Sequence, residues 1–194
     1  MRLFKKHRSP EEVGAILYES LRKGMEGSES LSLDKFVDAL LGPDPELDPQ
    51  YAGEVMIALM FGGDMAIRRS APPRVAEKIY SGMKTEFIQH IQEQGASSIQ
   101  QAEWETIVAT RFLEYRTAIE GYSGFEPPWK LGRQMFWNIS SVAEHNAMAV
   151  KIATLYILEA RDLCQDLLNE YGPSIIIRKE DRDPRHKPPE PPLE

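Results

Sequence analysis

Cysteine is almost missing from this chain: Cys164 is the only one in 194 residues. One thiol can neither close an internal disulfide nor build a cysteine-based metal knuckle. Its neighbours, "ARDLCQDLL", read as a helix with the thiol on the apolar side, so the expected role is that of a small buried hydrophobe. Long apolar runs are missing too. The longest, Val55 to Phe61, falls far short of the roughly 20 residues a bilayer-spanning helix needs. No apolar stretch of the kind found in a secretory leader follows the basic start "MRLFKKHR". The expectation is a soluble, cytoplasmic protein.

Strand signals are equally scarce. No segment alternates strictly between apolar and polar residues across hairpin turns, and "SIIIRK" is the only β-branched run, which alone makes no sheet. No repeat of fixed period points to a solenoid. The catalytic and cofactor patterns tested also fail. There is no phosphate-cradling glycine loop, no GxSxG elbow and no HExxH. His90 and His145 lack the Glu-x-x-His sets a di-metal bundle requires. No cofactor and no structural metal are therefore expected, and no residue is nominated as catalytic.

Base is in short supply. Lys and Arg number 23 against 30 Asp and Glu, for a formal charge of −7. An acidic chain is a poor ligand for a phosphate backbone, so nucleic acid is not an expected partner. The second helical segment, "SLSLDKFVDALLG", offers Asp34 and Asp38 where a DNA reader needs hydrogen-bonding or basic side chains. The N-terminus runs the other way: Lys5 and Lys6 could touch an anionic membrane surface, although most such ends are simply solvated.

What is present is helical. "SPEE" is a capping box, with Ser9 capping, Pro10 in the first turn and Glu12 answering. Behind it Val13, Ile16, Leu17 and Leu21 form one stripe. "DPQY" opens a third helix whose centre, Val55–Phe61, is apolar all round. That marks either a central helix or a face lent to a partner. Gly62-Gly63 and Ala71-Pro72-Pro73 punctuate the chain beyond that run. A fourth helix carries Val75, Ile79, Met83, Phe87 and Ile91. "SIQQ" is read as a second capping box with Ser98 as the cap, ahead of Trp104, Ile107, Val108, Phe112, Tyr115 and Ile119. Beyond residue 127 helical periodicity persists to about 171. That predicts one long, bent helix, although "SVAE" (Ser141 to Glu144) is itself a capping pattern that would allow a break near residue 140.

The fold class is thus all-α: a single-domain bundle of five or six helices with a long C-terminal helix over about 127–171 and an extended proline-rich tail. The expected organisation is a basic segment 1–8, a bundle 9–173 and a charged, proline-rich tail 174–194. In that tail Arg185, Pro188 and Pro191 match a spacing read by SH3-type grooves, a match that proline-rich stretches reach easily.

Two constellations compete for function. The loop "GYSGFEPPWK" holds Tyr122, Phe125 and Trp129, three aromatics too large to leave in water, and Arg133 and Trp137 come after them at helical spacing. They either cap the core or form a recognition surface, since Trp, Tyr and Arg dominate interface hot spots. The second is "NISSVAEHN". Asn138, Ser141 and His145 share a face there, and Glu144 and His145 could titrate in a ligand pocket; the plainer alternative is a polar layer that fixes helix register. The leading expectation is a non-enzymatic protein acting through protein–protein contact or self-association. It rests on excess apolar surface at Val55–Phe61, on the aromatic loop and on the tail. A bundle binding a small apolar ligand near Trp137 and His145 is the alternative, and membrane association through Lys5 and Lys6 the weaker one.

Overall fold

The computed structural model describes residues 7–27, 31–41, 51–120, 129–139, 147–171 and 175. Every regular element among them is a helix. The first, α1 (Pro10–Gly27), starts at its capping box. Ser9 Oγ accepts from the Glu12 amide at 3.1 Å, and Glu12 Oε2 accepts from the Ser9 amide at 2.7 Å. Val13, Leu17 and Leu21 are buried, as their spacing predicts. The short α2 (Leu33–Leu41) turns Phe36 and Val37 inward. In α4 (Pro73–Glu93) the whole stripe Val75, Ile79, Met83, Phe87 and Ile91 is buried. Gly14 of α1 and Gly82 of α4 let these two helices meet backbone to backbone. A Cβ on Gly14 would overlap the Ile79 carbonyl, and one on Gly82 would overlap the Glu11 carbonyl.

The cap of α5 (Ser98–Ile119) is Ser97, one residue earlier than the sequence pattern suggests. Ser97 Oγ accepts from the Gln100 amide, and Gln100 Oε1 accepts from the Ser97 amide at 2.9 Å. Both serines have a glutamine three residues on, so the pattern alone does not choose between them. The inward face of α5 is carried by Val108, Phe112 and Tyr115.

At the centre lies α3 (Tyr51–Ser70), packed against α1, α4 and α5 and also against α6 (Trp129–Ile139) and α7 (Ala147–Tyr171). Val55 through Phe61 are all buried. The apolar run is therefore the middle of the core and not spare surface, which removes one support for a docking role. Gly62-Gly63 do not punctuate this helix; it continues to Ser70. The glycines admit α7 instead. A Cβ on Gly62 would press on the Ile157 carbonyl, and one on Gly63 would lie 3.2 Å from the Cys164 sulfur.

The single helix expected over 127–171 is two helices. α6 and α7 lie side by side, with Gly132 so close to Val150 and Thr154 that a Cβ would overlap both. A continuous helix would hold Gly132 and Val150, 18 residues apart in sequence, about 27 Å from each other at 1.5 Å per residue. α6 ends at Ile139 and α7 begins at Ala147; the "SVAE" capping pattern of the sequence lies between them, outside the described residues. Seven helices result among the described residues. Arg8 forms an isolated parallel bridge with Ile175, and its guanidinium sits 5.1 Å above the Tyr171 ring. None of the described helices is long and apolar enough to cross a membrane.

Candidate functional site

The outer face of α6 is set by its inner one. Leu131, Gly132, Met135, Phe136 and Ile139 are buried, so helical spacing turns Trp129, Lys130, Arg133 and Trp137 outward. Trp129, Arg133 and Trp137 stand at i, i+4 and i+8. The Arg133 guanidinium lies between the indoles, 5.0 Å from each ring centroid. Such contacts are worth about 0.5–1 kcal/mol at exposed sites. They hold a long, flexible cation in one place. The rings themselves stay in water: Trp129 is 46% exposed and Trp137 49%.

Next to them runs a groove of about 650 Å³ between α6 and α7. Trp129 and Arg133 line one side, and Val150, Lys151, Thr154, Leu155 and Leu158 the other. Its floor owes its closeness to Gly132, and Thr154 Oγ1 is spent on the Val150 carbonyl at 2.8 Å. Met148 and Leu155 of α7 are 58% and 54% exposed. Leu155 also borders a smaller hollow of about 250 Å³ against α2, where Phe36 stacks on Tyr156 with ring centroids 4.2 Å apart. The apolar surface therefore runs from α6 across α7 to α2. The groove's charged lining residues, Arg133 and Lys151, are both cations, and neither has a carboxylate partner among the described residues.

A polar chain behind α6 holds this face in position. Glu54 of α3, buried, is gripped by Arg111 of α5 through Nε and Nη2, each at 2.8 Å. Arg111 also reaches Glu114 at 3.1 Å, and Gln134 of α6 donates to Glu114 at 3.3 Å and to Asn138 at 3.1 Å. Asn138 in turn donates to the buried Tyr115 hydroxyl at 3.4 Å. Burial pushes that phenol well above its ordinary range, so Tyr115 stays neutral. Asn138 thus links α6 to α5 through Tyr115. A second buried carboxylate, Asp64, takes Arg68 at 2.8 Å and Arg116 at 3.3 Å on one oxygen. Its other oxygen has no hydrogen-bond partner among the described residues.

Of the residues singled out from the sequence, Trp129, Arg133 and Trp137 come together on one face. Tyr122 and Phe125 of the aromatic loop, Ser141, Glu144 and His145 of the polar segment, Lys5 and Lys6 all lie outside the described residues. His90 is half-buried beside Tyr18, its Nε2 3.0 Å from the Gln94 amide nitrogen. No group of three or more His, Cys, Asp or Glu able to hold a metal occurs among the described residues. Sequence reasoning misses the Glu54–Arg111 and Asp64–Arg116 pairs. Their partners are 57 and 52 residues apart, and isolated charges read as solvated.

Cys164 is buried against Gly63, and burial pushes its thiol up to about 12. Nucleophilicity belongs to the thiolate, of which almost none exists at neutral pH under these conditions. A thiol reagent such as dithionitrobenzoate is therefore expected to react with the folded protein about 100-fold more slowly, or slower still, than with the chain unfolded in guanidinium. Comparable rates in the two states would mean that the helix crossing at Gly63 opens readily.

Comparison with family models, curated proteins and solved structures finds no match to this chain.

Proposed function

We propose that this chain is a non-enzymatic helical protein that works by protein–protein contact through the outer face of α6 and α7, as an adaptor, an assembly subunit or a homo-oligomer. One observation carries the reading. Two tryptophans and an arginine are fixed in a row on an exposed helix face, directly beside an apolar groove. Monomers rarely leave contiguous apolar patches larger than a few hundred Å² in water, and patches that do persist mark places where another molecule sits. Trp and Arg are also the side chains whose truncation costs most at interfaces. The polar chain from Glu54 to Asn138 suits this role, because a docking face gains affinity when its anchors are held before the partner arrives.

The groove also falls in the volume range of small-ligand sites, about 300–1,000 Å³. Such sites usually wrap most of their ligand, whereas this groove is about half open and its apolar surface continues over α7 through the exposed Met148 and Leu155. A surface of that shape favours a macromolecular occupant.

The experiment is a solution mass measurement, by light scattering, of the protein alone and mixed with fractions of its own cell extract, with Trp129→Ala as the paired variant. The expected result is a species heavier than the 22.1 kDa protomer. Trp129→Ala should weaken it by about 2 kcal/mol, or about 30-fold in Kd. A strict 22.1 kDa monomer under every condition, stabilised on heating by fatty or aromatic compounds instead, would replace the docking reading with the ligand reading.

A further inference from the structure

We infer that the occupant of the α6–α7 groove is an acidic amphipathic helix contributed by a partner protein, an inference that rests on the docking reading above. Charge complementarity argues for it. The chain as a whole carries −7, yet the charged lining of this groove is Arg133 and Lys151, and the exposed Lys130 lies on the same turn of α6 as Trp129. A cationic rim selects anionic partners and repels cationic ones.

The same charges argue against a second copy. In a two-fold dimer the patch would face itself. Arg133 and Lys151 would then meet Arg133 and Lys151, with no carboxylate from the groove to separate them.

Shape supplies the helix. The groove is the furrow between two packed helices, and the usual occupant of such a furrow is a third helix whose side-chain ridges fit it. α6 is 11 residues long, about 16 Å. The complementary segment is thus about three turns. Apolar residues at i, i+3 or i+4, and i+7 would reach the floor between Trp129 and Leu155, and Asp or Glu on the flanks would meet Arg133 and Lys151. A segment that short is barely helical alone and would fold as it docks.

The test uses the full chain and two fluorescently labelled synthetic peptides of about 16 residues. Both share one leucine stripe at helical spacing; one has Glu at the flanking positions and the other Lys. Binding is read by anisotropy, with oleate and vesicles of anionic phospholipid as separate arms. The Glu peptide is expected to bind at least about tenfold more tightly than the Lys peptide, with affinity falling as salt rises. Arg133→Glu/Lys151→Glu should reverse that preference. Its melting temperature should fall by only a few degrees, since neither side chain is buried and the loss is that of the two ring contacts of Arg133.

Equal affinity for the two peptides, or a preference that survives the double charge reversal, overturns the acidic-helix inference. If Trp129→Ala still lowers that binding, the docking reading stands without it. Binding of neither peptide, with oleate or vesicles bound instead at a Trp129-dependent site, overturns both.

Discussion

Phe61→Ala is expected to lower the unfolding free energy by about 4 kcal/mol, the middle of the range for emptying a fully buried phenylalanine site. Phe61 is the last residue of the apolar run on α3 and lies where α3 meets α5. Its ring stands edge-on to Phe112, centroids 5.4 Å apart at 81°, and is tilted against Tyr115 at 5.1 Å. The truncation removes both ring contacts and leaves a hole that neither neighbour can fill without leaving its own place in the core. Tyr115 is the less free to move, because its hydroxyl is tied to Asn138 of α6. For a chain of this length each kcal/mol shifts the melting temperature by about 2–4 °C, so a drop of about 8–16 °C is expected in a thermal scan. Urea titration at 25 °C gives the free energy directly. Phe61→Leu, which keeps most of the volume, should lose less than half as much. A loss below about 1 kcal/mol for Phe61→Ala would mean that the α3–α5 junction is not packed as described.

Glu54→Ala costs almost as much for a different reason. The Glu54 side chain is only 7% exposed and the Arg111 side chain that holds it 25%. Removing one partner of a buried ion pair strands the other, and such losses run to about 3–5 kcal/mol. Arg111 keeps some water and keeps Glu114 at 3.1 Å, so the low end of that range, about 3 kcal/mol, is expected. The diagnostic is a double-mutant cycle. Glu54→Leu/Arg111→Leu should be closer to the parent than Glu54→Ala, because the charge it leaves without a cation, Glu114, is about a third exposed and keeps its hydrogen bond from Gln134, so no buried charge is stranded. Coupling near zero would show that the pair carries no energy of its own. The same variant reports on the site. Glu114, Gln134 and Asn138 continue the chain from Arg111 to α6, so the fluorescence of Trp129 and Trp137 should become more mobile in Glu54→Ala before the protein unfolds.

Much of the fold is legible because it is written locally. The Ser9–Glu12 box, the five-residue stripe of α4 and the aromatic stripe of α5 need nothing beyond their own turns. Local patterns mislead where distant parts of the chain decide. Helical periodicity does not register direction, and two helices lying side by side each show a continuous stripe. The span from Trp129 to Tyr171 therefore reads as one rod until Gly132 is seen against Val150. Gly62-Gly63 reads as punctuation because glycine is a poor helix former, whereas here its lack of a side chain is what α7 requires. Val55–Phe61 is ambiguous by nature, since an all-round apolar helix is either enclosed or shared and only its neighbours decide. The site is half legible. Spacing puts Trp129, Arg133 and Trp137 on one face, but the groove beside them exists only because α7 folds back, and nothing in the local pattern of α6 announces it.

The enclosure of α3 also constrains how the protein is made. Five helices cover it, and one of the two that cover it most closely, α7, is the last of the described helices to be translated, starting some 77 residues after α3 ends. At ribosomal speeds of about 5–20 residues per second, the greasy middle of the molecule waits roughly ten seconds for its final wall. Until then that apolar surface stands open to water, the condition under which unfinished chains aggregate or recruit chaperones.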